Sequence, residues 1–183
     1  MSVKRQVLWE LLLWGLGFAI VLMVVTGSYV GWQRLHRTDE QVELARYVEM
    51  ELPSLMESER DVIGRLAPLS SRPGPSADKA RALLVDDVTP RLIALRKRAN
   101  AIVAQTEDVK SLVAGYLEWV DKLIDACRAS VRAIDDPALD ATAGLADIAR
   151  KFALADAAAE RWTTHVRAAC ERHHLLAPPA AKK

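Results

Sequence analysis

The order of apolar and polar positions divides this chain into two unlike parts. From Leu11 to Gln33 the sequence carries neither a formal charge nor a polar face. As a helix, this stretch of about 22 residues rises roughly 33 Å, enough to cross a hydrocarbon core of about 30 Å. Trp9 and Trp14 toward one end, and Tyr29 and Trp32 toward the other, stand where interfacial aromatics anchor a span. The expectation is a transmembrane helix over 11–33 behind a short cytoplasmic tail, 1–10. A cleaved signal peptide is the alternative, with Lys4 and Arg5 as its basic start and small residues at Thr26 and Ser28. The apolar run continuing through Tyr29, Val30 and Trp32 argues against cleavage. Gly27 and Gly31 form a GxxxG pair, a possible contact for a second membrane helix.

Beyond residue 38 the apolar positions recur in steps of three and four. Ala45, Val48, Leu52, Leu55, Val62 and Leu66 make one stripe, and Leu84, Val88, Leu95, Ala99 and Ile102 a second. The pattern is strongest in the remaining two. Val109, Val113, Tyr116, Val120, Leu123, Cys127, Ser130 and Ile134 alternate fours and threes. So do Leu145, Ile148, Phe152, Ala155, Ala159, Trp162, Val166, Ala169, His173 and Leu176. Such seams put knobs into holes between near-parallel helices.

Punctuation sets the boundaries. Thr38 with Gln41 is a capping-box signal, Pro53 predicts a kink, and Pro68 ends the first helix. The stretch from Ser70 to Ser76 is the clearest loop, and Ser76 caps a second helix that Pro90 should bend. Unbroken, residues 76–134 would run about 88 Å against roughly 50 Å for their neighbours. Arg96, Lys97 and Arg98 followed by Asn100 read as a helix end, and Thr106, Glu107 and Asp108 as the next start. The turn at Asp135 to Pro137 then leads to a fourth helix from Asp140 or Thr142. The predicted fold is all-α: an N-terminal transmembrane helix, an antiparallel four-helix bundle over 38–176, and a frayed tail, 177–183. A long three-helix coiled coil is the alternative.

Composition narrows the function. Lys+Arg 25 against Asp+Glu 24 leaves a net charge of +1, which offers no electrostatic footprint for nucleic acid. The expected partners are instead the membrane and a protein, either a second copy or another chain, met through helix packing. Basic residues flank both ends of the span, so the order of short basic tail, apolar run and long domain decides the orientation: the domain is placed outside the cytoplasm, in a periplasm, with a cytoplasm-facing domain as the alternative. In that frame the Arg96–Lys97–Arg98 cluster lies near lipid headgroups, or is simply a solvated helix end.

Candidate chemistry is sparse. Cys127 and Cys170 should lie roughly 30 Å apart along antiparallel helices, too far for a disulfide. Cys170 and His174, four residues apart with His165 nearby, could face one metal. Two ligands on one helix are half a tetrahedral site, and a partly buried His173 with solvated neighbours is the plainer reading. No nucleophile with its base, phosphate-binding loop or haem attachment motif is present, so neither catalysis nor a cofactor is expected. Glu57, Glu59 and Asp61, like Asp86 and Asp87, look like ordinary exposed helical acids.

One span followed by a helical bundle resembles the ligand-binding half of bacterial chemoreceptors and sensor kinases. The resemblance covers nearly the whole chain, but it is architectural and rests on no diagnostic motif. It implies a sensory role. The second span and signalling region of that family are missing from these 183 residues, so such a role needs a membrane partner. Three readings follow. The first is a non-enzymatic, membrane-anchored, sensor-like interaction module, marked by an exposed apolar stripe including Leu112, Trp119, Ile124 and Val131. The second is a ligand- or metal-binding bundle with a site near Tyr116, Trp119, Trp162 or His165, marked by a polar interior. The third is a spacer in an envelope assembly.

Overall fold

The computed structural model describes residues 38–70, 74–136 and 141–175. The anticipated span, with Trp9, Trp14, Gly27, Tyr29, Gly31 and Trp32, lies outside them. Among the described residues no helix is long and apolar enough to cross a membrane, and every regular element is helical.

Helix α1 covers 39–66 and is followed by a 3₁₀ turn, Ala67–Ser70. Helix α2 covers 77–100. Helix α3 is Glu107–Asp135 and α4 is Ala141–Arg172, 29 and 32 residues long. The anticipated break between α2 and α3 is present: irregular chain separates Asn100 from Glu107, so the long three-helix arrangement does not form. Ser76 and Thr106 have the extended backbone of N-caps, though neither side chain makes a capping bond.

Pro53 and Pro90 do not break their helices. Each is preceded by a π turn, Tyr47–Glu51 in α1 and Leu83–Val88 in α2. A proline lacks the N–H its turn needs and crowds the carbonyl four residues back, and a wider turn relieves both. The same turns settle a phase problem. The buried positions step by two successive fours at Leu44, Val48, Leu52 and again at Leu84, Val88, Leu92. In a regular α-helix that step drifts off the core face. One wider turn absorbs the extra residue and keeps the stripe inward.

Consecutive helices run antiparallel, in a register marked by cross-helix polar pairs. Between α1 and α2, Asp61 and Asp87 alternate with Arg65 and Arg91 in a closed ring of four ion pairs, 2.6–3.3 Å long. Arg98 donates to the hydroxyls of Ser54 and Ser58, both at 2.6 Å. Arg81–Asp135 and Arg96–Asp121 join α2 to α3. Arg161–Glu118 and Arg172–Asp108 join α3 to α4. Exposed pairs of this kind contribute little stability each, but together they disfavour a shifted register.

One apolar core draws on all four helices. Helices α3 and α4 pack most extensively, because small residues such as Ala126, Ala129, Ala155 and Ala158 let their backbones approach. Most of the anticipated stripe positions are buried, while Leu66, Ile102, Ser130, Ile134, Ile148, Phe152, Ala159 and His173 are half-buried and Leu176 lies outside the described residues. Leu145 is 68% exposed, since it lies in the first turns of α4, opposite the place where α3 ends.

Candidate functional site

The centre of the bundle is aromatic. Tyr116 on α3 packs edge-on against Trp162 of α4, ring centroids 5.0 Å apart, and tilts against Trp119 one turn along its own helix at 5.3 Å. Trp162 donates its indole N–H to the backbone carbonyl of Leu112 at 3.0 Å. Gly115 makes this possible: a Cβ there would stand 3.2 Å from the indole Cδ1. Tyr47, carried into the core by the π turn of α1, completes the group.

Two polar atoms in this centre lack partners. The hydroxyls of Tyr47 and Tyr116 are buried and make no hydrogen bond. A buried hydroxyl left unpaired costs about 1–3 kcal/mol, so native interiors rarely keep two without a water or ligand. Burial pushes both phenols well above their ordinary value, opposed in part at Tyr47 by the nearby indole of Trp162.

A further polar group, Glu59, stands twelve residues beyond Tyr47 on α1, about 18 Å along the helix. It occupies the four-three stripe of α1 between Leu55 and Val62 and is half-buried. Burial pushes its carboxyl up from 4.5 to about 7, with neighbouring Arg60 pulling the other way. It lies close enough to Tyr116 to raise that phenol further, as does Tyr47, while Arg98 opposes them. Glu59 therefore does not belong with the exposed helical acids. The signal was in the sequence: a 59 in the series 45, 48, 52, 55, 62, 66 completes the seam.

Leu112, Trp119 and Ile124, anticipated as part of an exposed interaction stripe, are buried at 2%, 5% and 4% exposure, and Val131 is half-buried. Helix α3 packs against both α2 and α4, so it needs a broader apolar face than a single seam. Of the basic cluster, Arg96 and Arg98 are engaged across helices.

The weak metal candidates are not gathered. Cys170 is fully buried while His165 and His174 are exposed. Among the described residues no group of three or more His, Cys, Asp or Glu could hold a metal. His173 Nε2 sits 2.7 Å from Asp108 Oδ2, beside the Arg172 pair to the same carboxylate, and this ties the end of α4 to the start of α3. Cys127 and Cys170 are both free thiols in the core.

Two further features hold polar groups that are already paired. A depression of about 510 Å³ at the α3–α4 turn is lined by Asp135 and Asp147, which pair with Arg81 and Arg150. At the opposite end, the Glu43 carboxylate accepts the backbone N–H groups of Gln105 and Thr106 at 2.6 and 2.7 Å, pinning the α2–α3 loop onto α1. Burial works to raise the carboxyl of Glu43, but these bonds outweigh it and hold the group below its ordinary value. Comparison with protein families, curated proteins and solved structures returns no match.

Proposed function

We propose that this protein is a non-enzymatic, membrane-tethered, sensor-like module that receives a small ligand between its helices and passes its state to a membrane partner. The observation that carries the reading is the pair of buried phenols without hydrogen-bond partners, Tyr47 and Tyr116, in an otherwise apolar core. A module built only to hold its shape gains nothing from such groups. The tether is the uncharged stretch 11–33. One span followed by a helical bundle is the architecture in which the chain resembles the ligand-binding halves of bacterial chemoreceptors, and the sensor-like reading follows that resemblance.

Both halves are testable. After an alkaline carbonate wash the protein should remain with the membrane pellet, and release into the supernatant would overturn the tether. For orientation, Ser76→Cys gives an exposed thiol at one end of α2 while the two natural cysteines stay buried. A membrane-impermeant maleimide should label that variant in intact cells. Labelling only after lysis would place the domain in the cytoplasm.

A second reading has its own observation. Val42, Met50 and Val103 are 52%, 68% and 69% exposed, and Val42 and Val103 both border Arg46, whose side chain donates to the Val103 carbonyl. These apolar residues near the start of α1 favour docking of a protein partner or a second copy there. Chemical cross-linking in native membranes, with and without Val103→Asp, tests it: loss of a cross-linked species in the variant supports such docking.

A further inference from the structure

We propose that the α2–α3 loop rests in the headgroup layer of the membrane that holds the tether, with Val103 and Val42 as the inserted side chains. The inference rests on the uncharged stretch 11–33 being a tether. It makes lipid, rather than a protein, the occupant of these two residues. Three observations lead to it.

First, the loop is unlike one built to face water. Ala101, Ile102, Val103, Ala104, Gln105 and Thr106 bring no charge, glycine or proline, whereas the connections at the other end, Ser70 to Ser76 and Asp135 to Asp140, carry both charges and prolines. Ile102 and Ala104 pack against the core, and Val103 between them is 69% exposed. Second, the loop is fixed in place. Arg46 donates to the Val103 carbonyl at 3.3 Å, and the Glu43 carboxylate accepts the N–H groups of Gln105 and Thr106. These bonds hold Val103 beside the first turns of α1, where Val42 is 52% exposed. Third, only residues 34–38 join the uncharged stretch to α1, at most roughly 18 Å of extended chain. A bilayer holding that stretch is within reach of this end of the bundle. The polar connections lie at the far end of α2, about 36 Å along the helix. Charges near the loop are mixed, Arg46 and Lys97 against Asp39, Glu40 and Glu107, so apolar contact and not headgroup charge supplies the attraction. The tether sets an effective concentration on the order of millimolar, so a contact too weak to hold a free domain is sufficient.

The test reconstitutes the full chain in phosphatidylcholine vesicles. A bimane probe is placed on Gln105→Cys, in the loop, or on Ser76→Cys, at the far end of α2. Both positions are exposed, and the natural Cys127 and Cys170 stay buried. Quenching is read with phosphatidylcholine spin-labelled near its headgroup, and separately with aqueous iodide. The spin-labelled lipid should quench the loop probe several-fold more than the probe at position 76, and iodide should do the reverse. Val103→Asp should reduce the lipid quenching of the loop probe several-fold, because a carboxylate does not leave water for lipid. Val42→Asp is the second variant should Val103→Asp lose its helical circular dichroism. The inference is overturned by equal lipid quenching at the two sites, or by quenching that both folded variants retain. It is also overturned by a loop probe shielded from iodide yet untouched by the lipid label, the mark of a protein or second copy covering the loop. A chain that washes off in carbonate sinks the tether itself, whereas one that stays in the pellet with an unquenched loop sinks this inference alone.

Discussion

Glu59→Gln makes a prediction about stability that needs no ligand. In the native bundle the carboxyl holds its proton to about pH 7, whereas the ordinary value is 4.5. Below 4.5 both states are protonated and burial costs nothing in charge. Between 4.5 and about 7 the unfolded chain loses its proton while the native one keeps it. The native state then binds more protons, and stability falls as pH rises, by up to about 1.4 kcal/mol per unit. Above 7 both states are ionised and the loss levels off. A shift of this size corresponds to on the order of 3 kcal/mol, an upper figure because the side chain still touches water. The glutamine variant has no charge to bury. Urea unfolding followed by tryptophan fluorescence, from pH 4.5 to 8, should give near-equal stabilities at the acid end. At pH 8 the variant should be more stable by about 2–3 kcal/mol, and groups common to both chains cancel in the difference. Glu43, Asp87 and Asp147 are held below their ordinary values by hydrogen bonds, so their contribution is lost only at lower pH. A difference that does not change with pH, or a variant less stable at pH 8, would refute the placement of Glu59 as an unpaired acid.

Other substitutions test other parts of the structure. Gly115→Val should cost about 1–3 kcal/mol, because the new side chain displaces the Trp162 indole from the Leu112 carbonyl, whereas Gly64→Ala, with nothing within 4 Å of the added Cβ, should gain about 0.5–1 kcal/mol from helix propensity; urea midpoints moving the same way in both would contradict the packing. Glu43→Ala should lower stability by about 1 kcal/mol near neutral pH by freeing two backbone N–H groups of the α2–α3 loop, with faster amide exchange at Gln105 and Thr106 as the local readout. Native protein should react only very slowly with a thiol reagent at pH 8, because Cys127 and Cys170 are buried and burial pushes the Cys127 thiol up to about 11. Both should react promptly in urea, and rapid native labelling would contradict the core placement.

The helices themselves were legible because their stripes are long and regular. In α3, Val109, Val113, Tyr116, Val120, Leu123 and Cys127 all lie in the core, as a seam sustained over several heptads requires. The split between α2 and α3 followed from helix-end chemistry at Arg96–Asn100 and helix-start chemistry at Thr106–Asp108. Local signals of that kind act within a turn or two of chain, so they can be read without knowing the neighbours. Leu112, Trp119 and Ile124 were misplaced for the opposite reason. Whether a flank of α3 meets water or α2 depends on which helices lie on either side.

Glu59 divides the two kinds of information most clearly. By composition it reads as one more exposed helical acid, yet the four-three step puts position 59 on the inward stripe, where it is half-buried. Only the assembled bundle brings Tyr116, from a different helix, within electrostatic reach of it. The period of a helix is a property of its own backbone and is written in every turn. The company a side chain keeps is settled by elements distant along the chain, through packing that exists only once all four helices are together.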